Sequence, residues 1–147
     1  MIRRARPADA DAVAATYVAS FATLLRFLPD LHSDDDRRRF ITDVVPEDHE
    51  TWVAEKDGRI VGFAAIGESM LGHVYVHPDF HSRGIGTALL EKTKELRPDG
   101  FTLWTFPANE RACRFYERHG LQPIEYSDGS GNEEGLPDVR YEWRPGN

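Results

Sequence analysis

Apolar positions along the chain follow two rhythms. Between residues 13 and 28, Val13, Tyr17, Phe21, Leu24, Leu25 and Leu28 recur at steps of three and four, which predicts a helix with one buried face running to Pro29. Ser33 followed by Asp34, Asp35 and Asp36 marks a second helix start, with a capping hydroxyl and acids at the positive end of the helix. Phe40, Ile41, Val44 and Val45 would supply its buried side, and Pro46 would close it. Elsewhere the rhythm is that of strands. IRRAR (2–6) is a short first strand, and TWVAEKDGRIVGFAAIG (51–67) reads as a hairpin turning on Asp57-Gly58. GHVYVHP (72–78), FTLWTF (101–106), LQPIEYS (121–127) and DVRYEWR (138–144) are further strands. A helix carrying Leu89, Leu90 and Leu96 precedes the Pro98-Asp99-Gly100 turn, and ANERACRFYERHG (108–120) is helical up to Gly120. The order is β-α-α-β-β-β-α-β-α-β-β, an α/β (α+β) chain with a mixed sheet and helices on its faces.

Composition narrows the function classes. The 147 residues fit one domain, 1–147, with enough chain to bury a core without metal or disulfide staples. A single cysteine, Cys113, excludes an internal disulfide and fits a reducing compartment, so a cytoplasmic location is expected. No apolar run approaches the roughly 20 residues that span a bilayer, and MIRRARPADAD lacks the apolar centre of a signal peptide, so no membrane partner is expected. The formal net charge of -7 argues against nucleic-acid binding and favours cationic partners.

The stretch HPDFHSRGIGTALL (77–90) carries the chemistry. Gly84 and Gly86 sit at a helix start, where glycine costs helix stability but lets a ligand approach the free N–H groups of the first turn. Such a turn is an anion site, or else simply a tight strand-to-helix connection. It is not the G-x-x-x-x-G-K-[ST] phosphate loop, and Leu89 replaces the third glycine of a dinucleotide fingerprint. His73, His77 and His81 are spaced by four, but the segment is strand-like and broken by Pro78, so no metal site is expected.

The segment VYVHPDFHSRGIGTALL resembles the acyl-CoA signature of the GNAT superfamily of N-acetyltransferases, Q/R-x-x-G-x-G/A after a strand, with His81 at its first position. NERACRFYERHGL (109–121) is similar to the same family's N-x-x-A-x-x-x-Y-x-x-x-G-F region, with Leu121 in place of Phe, and the element order agrees over nearly the whole chain. The resemblance implies acetyl-CoA as cofactor. Its pyrophosphate would lie on the N–H groups of Ser82, Arg83, Gly84, Ile85, Gly86 and Thr87, and its pantetheine arm along Val74, Tyr75 and Val76, with Asn109 nearby. Arg83, Arg111 or Arg114 would meet a remaining phosphate. Tyr116 matches the family's general acid for direct transfer to a primary amine, and Cys113 is a small buried residue rather than a nucleophile.

The base is the departure. The family's fourth-strand positions for a Glu or His are Gly72 and Met70 in this chain, and its fifth-strand position is Trp104. Glu68 and His32 are the substitute candidates, beside a water chain or an amine that arrives neutral. Acceptor choice in the family resides in the first two helices and the last inter-strand loop. Here that loop carries Asn132, Glu133 and Glu134, which favours a small cationic amine over a protein N-terminus or lysine. A non-catalytic acyl-CoA sensor is the competing reading, and a homodimer is common in the family.

Overall fold

The computed structural model describes residues 1–146. Its strands are β1 (Ile2–Arg4), β2 (Glu50–Lys56), β3 (Arg59–Ile66), β4 (Leu71–Val76), β5 (Phe101–Thr105), β6 (Gln122–Ser127) and β7 (Asp138–Trp143); its helices are α1 (Ala10–Ala22), α2 (Asp34–Arg39), α3 (Ile85–Leu96) and α4 (Glu110–Arg118). The order predicted from the sequence is borne out. β1, β2, β3 and β4 form one antiparallel sheet in that spatial order, and β5, β7 and β6 form another. A single parallel bridge, Met70 to Thr102, joins the two, with the Thr102 N–H donating to the Ser69 carbonyl at 3.1 Å.

Local chemistry explains the elements. Asp57 and Gly58 both take positive φ, 52° and 78°, the two-residue turn whose twist suits a hairpin. Ser33 caps α2 by accepting from the Asp36 N–H while the Asp36 carboxylate accepts from the Ser33 N–H, and Arg37, Arg38 and Arg39 answer Asp34, Asp35 and Asp36 one turn on. The three aspartates are therefore committed to their own helix.

Two expectations for the helical segments need correction. α1 stops at Ala22, well before Pro29, because the Ser20 carbonyl that would accept from Leu24 accepts instead from the Thr23 N–H at 3.1 Å and its hydroxyl at 2.7 Å. The chain then runs as tight turns, and Leu28 still reaches the core. After α2 a wider π-type turn spans Phe40–Val44. It buries Ile41 and Val45 but leaves Phe40 at 38% and Val44 at 52% exposure.

The core lies on both faces of the first sheet. Leu89 and Leu90 of α3 pack with Val61, Ala64 and Ile66 on one face, continuous with Leu103, Leu121 and Val139 of the second sheet. Val13 and Tyr17 of α1 join Ile41, Val45 and Phe63 on the other. Gly62 sets how near α3 comes to β3: a Cβ there would lie 3.1 Å from Ile85 Cγ2, 3.1 Å from the Tyr75 carbonyl and 3.2 Å from Leu89 Cδ1. Replacing Gly62 with Val should overpack this contact and lower stability by about 1–3 kcal/mol, read as a lower urea midpoint at unchanged slope. An unchanged midpoint would show that α3 is free to shift.

Candidate functional site

Past the Met70–Thr102 bridge, β4 and β5 share no further pairing, and a cleft of about 760 Å³ opens between them. One wall is the edge of β4. The His77 N–H donates to the Val61 carbonyl at 2.8 Å, so by antiparallel alternation His73, Tyr75 and His77 exchange hydrogen bonds with β3. Val74 and Val76 consequently turn their N–H and C=O groups toward the cleft. Tyr75, expected to offer its backbone there, is instead engaged with β3, and its ring lies among Tyr17, Phe63 and His73. The Val76 carbonyl already accepts from the Ser20 hydroxyl at 2.8 Å and from His81 Nε2 at 3.1 Å.

The end of the cleft is the glycine turn. Ser82 and Gly84 take left-handed φ, 64° and 80°, so the chain doubles over and the unpaired N–H groups of the first turn of α3 face outward. A Cβ on Gly84 would meet nothing within 4 Å, leaving an open cradle for an anion. Arg111 reaches across from α4, donating to His81 Nδ1 at 2.9 Å and to the Ser82 hydroxyl at 3.3 Å. That contact fixes His81 with its proton on Nε2 and brings a guanidinium over the turn. Arg83 is exposed and does not line the cleft; its guanidinium carbon lies 5.3 Å from the Phe80 ring centre. Arg114 pairs with Glu110 on the outer face of α4. Gly86 is tightened against Phe115, whose Cζ would be 3.3 Å from an added Cβ. Thr87 holds His119 Nε2 at 3.2 Å, and Asn109 caps α4 by accepting from the Ala112 N–H at 3.2 Å. Ser82, Gly84, Ile85, Gly86, Thr87 and Asn109 all line the cleft.

The opposite wall carries Tyr116. Its ring is buried at 8% exposure and packs on Phe115 and Tyr141, and among the described residues its hydroxyl has no hydrogen-bond partner. Burial, with the neighbouring Cys113 thiol, pushes its pKa above the ordinary tyrosine value, so it is a protonated donor at neutral pH. Cys113 is half-buried, its thiol directed at the Phe106 carbonyl, and burial raises its pKa too, which keeps it a thiol rather than a thiolate.

A second set of residues meets where the α1–α2 connection approaches the β6–β7 loop. His32 Nε2 lies 2.9 Å from a Glu133 carboxylate oxygen, joining two of the candidates that sequence had placed a hundred positions apart. Glu134, half-buried, has no ion-pair or hydrogen-bond partner among the described residues. It lies close enough to the phenols of Tyr17 and Tyr75 to add to the rise in their pKa values, which burial dominates; Tyr17 is pushed up to about 12. Asn132, expected at the acceptor, holds its own loop together instead. Its amide nitrogen donates to the Leu136 carbonyl at 2.8 Å and to Asp138 at 3.3 Å, and its oxygen accepts from the Gly135 N–H at 2.8 Å.

Glu68 is not brought to the cleft. It is exposed in the β3–β4 turn, on the closed side of the Met70–Thr102 bridge, where Arg97 Nε bonds the Gly67 and Glu68 carbonyls at 2.9 and 3.0 Å. Met70 and Trp104 carry no titratable group. Sequence reading missed His49, which precedes β2 and stands against Gly72: a Cβ at position 72 would lie 2.4 Å from His49 Nε2. Nothing in PEDHE marks this histidine, because only the folded chain places it beside β4. The other histidines scatter. His73 packs against Tyr17, Phe40, Tyr75 and His49, with burial lowering its pKa to about 4; His77 Nδ1 accepts from the Asp79 N–H; His81 is held as above.

A parted strand edge leading to an N–H cradle defines a protein that holds an extended, amide-bearing ligand by its phosphates. Residues 47–123, more than half of the chain, match the family model described as an acetyltransferase (GNAT) domain. An uncharacterized N-acetyltransferase of Archaeoglobus fulgidus is 32% identical over 150 residues, covering 90% of this chain and 99% of that one. The mycothiol acetyltransferase of Nocardiopsis dassonvillei is 35% identical over 98 residues, 58% of this chain but only 30% of that protein. The PaiA N-acetyltransferase of Thermoplasma acidophilum, solved in complex with coenzyme A, shares the fold with a TM-score of 0.76 at 18% identity, covering 98% of each chain. The chain belongs to the GNAT acetyltransferase family, and acetyl-CoA is the cofactor that its cleft fits.

Acetyl-CoA or CoA should therefore raise the melting temperature, by the equivalent of about 2.7 kcal/mol at a hundredfold excess over Kd, whereas NAD should not. Gly84→Val, which forces a branched side chain into left-handed backbone at the cradle, should reduce the CoA shift. An equal shift with NAD, or an undiminished CoA shift in the variant, would contradict the assignment of the turn.

Proposed function

We propose that the chain transfers the acetyl group of acetyl-CoA directly to the primary amine of a small cationic acceptor, with Tyr116 as the general acid. The observation that carries this reading is the phenol of Tyr116, buried, held protonated and without a hydrogen-bond partner among the described residues, in the wall that faces the β4 edge. A group that must give up a proton to a departing thiolate needs those properties. Bound acetyl-CoA supplies the thioester. The protein contributes orientation through the Val74 and Val76 backbone, phosphate anchoring at Ser82 to Thr87, and the proton at Tyr116 Oη.

The acceptor reading rests on Glu133 and Glu134. Glu134 near Tyr17 and Tyr75, with Glu133 near Tyr17, suits an ammonium group, which gains from both charge and ring faces. His32 belongs to this acceptor mouth, as the partner of Glu133, rather than to proton transfer. Among the described residues no helix is long and apolar enough to cross a membrane, and a free Cys113 fits a reducing, cytoplasmic setting.

Tyr116→Phe keeps the ring and removes the donor, so kcat should fall by about 10²–10⁴ with little change in acetyl-CoA affinity. Because the folded pKa lies above the ordinary value of about 10, loss of this acid should not limit the wild type below that pH. A variant within twofold of wild type, with chemistry rate-limiting, would make Tyr116 a packing residue. Separately, Glu134→Gln should weaken acceptor kcat/KM by roughly 5–30-fold, the equivalent of about 1–2 kcal/mol, more at low salt than at high, with the acetyl-CoA KM unchanged. Unaltered acceptor kinetics would leave Glu134 a surface acid.

A further inference from the structure

Met70 and Gly72 before and in β4, and Trp104 in β5, carry no group that can take a proton, yet the space at Gly72 is not empty. Gly72 is the bulged residue of β4: Ile66 pairs with Leu71 and Ala65 with His73, so Gly72 has no partner on β3. Its backbone lies outside the left-handed region, so it does not need to be glycine for conformational reasons. The His49 ring is what excludes a side chain there, since an added Cβ would be 2.4 Å from Nε2 and 2.8 Å from Cδ2, while the next contact, the Ala65 carbonyl, is an ordinary 3.5 Å away. The imidazole thus fills the volume that a side chain at position 72 would use, and Gly72 itself lines the cleft.

Resting on the acetyltransferase reading above, we infer that His49 is the general base of this enzyme, delivered from the segment before β2 into the place of the missing β4 side chain. Its orientation is fixed from behind. Nδ1 lies 2.6 Å from an Asp48 carboxylate oxygen and 3.2 Å from the Val45 carbonyl, both acceptors only, so Nδ1 carries the proton and Nε2 presents a lone pair toward Gly72. The titratable groups that face the ring are Asp48 on its own segment and His73 on β4, at 6.1 Å between ring centres. His73 is a poor rival, because it is packed among Tyr17, Phe40 and Tyr75 and resists protonation there. In the step, an acceptor ammonium loses one proton to His49 Nε2, directly or through one water. The freed nitrogen pair forms the C–N bond at the thioester carbon as the C–S bond breaks, the leaving sulfur takes the proton of the Tyr116 hydroxyl, and the second amine proton, shed as the neutral amide forms, returns through water to the tyrosinate. Atoms and charge then balance, with the imidazolium left to give its proton to solvent.

The experiment compares wild type, His49→Gln, and the double variant His49→Ala with Gly72→Glu, each assayed for CoA release from acetyl-CoA over a panel of amines from pH 5.5 to 9.5. His49→Gln keeps the volume of the ring, and folding is checked independently by its acetyl-CoA-induced melting shift. At neutral pH, kcat/KM for the amine should drop by about 10²–10⁴ while that shift is kept. The fall of wild-type kcat/KM toward acid pH should be lost in His49→Gln. In the double variant, a carboxylate grown from position 72 into the vacated space should recover at least tenfold of the lost rate and move the acidic limb to lower pH. A His49→Gln rate within twofold of wild type, with the acidic limb intact, overturns the role of His49 and leaves the acetyltransferase reading standing. A wild-type protein that binds acetyl-CoA but acetylates no amine overturns both.

Discussion

Among the described residues the Met70–Thr102 bridge is the one strand pairing that holds the two sheets edge to edge, and the cleft depends on its being single. Were β4 and β5 paired along their length, the N–H and C=O groups of Val74 and Val76 would be satisfied internally and there would be no cleft. Both strands are instead committed elsewhere, β4 to β3 and β5 to β7. Beyond the bridge each keeps a free edge, whose backbone groups need a ligand, a covering element or water as partners. Here Ser20 of α1 and His81 of the glycine turn cover the Val76 carbonyl, and the remaining edge faces the cleft.

That constraint orders the chemistry. The left-handed Ser82 and Gly84 bend the chain at the open end so that the N–H groups at the start of α3 look back along the cleft, and Arg111 adds positive charge from α4. Tyr116 of α4 and Gly72 of the β4 bulge both line the cleft, and His49 stands against Gly72. Their surroundings differ: burial holds the Tyr116 phenol protonated, and the Asp48 and Val45 oxygens face His49 Nδ1, turning Nε2 toward Gly72.

Much of the fold was legible because its punctuation is strong. Pro7, Asp57-Gly58, Gly84 and Pro98-Asp99-Gly100 each have one conformational use, and the element order read from them is the one observed. What failed depends on phase or on competition for one carbonyl. Apolar spacing could not tell that Thr23 would intercept the Ser20 carbonyl and end α1, nor that a π-type turn would bury Ile41 and Val45 while exposing Phe40 and Val44. In the cleft, motif spacing located the glycine turn and Tyr116, because those are contiguous segments. It misplaced Glu68, because strand alternation does not continue through the β3–β4 turn, and it could not find His49, whose place against a glycine 23 positions further along the chain appears only in the fold.

The cleft is tested most directly by amide hydrogen exchange of the protein with and without CoA. The Val74 and Val76 amides and those of residues 84–87 should slow when CoA is present, while the Tyr75 amide, already bonded to β3, should not change. Protection that leaves Val74 and Val76 untouched, or that falls on the exposed β6 edge instead, would contradict a ligand paired to the parted strand.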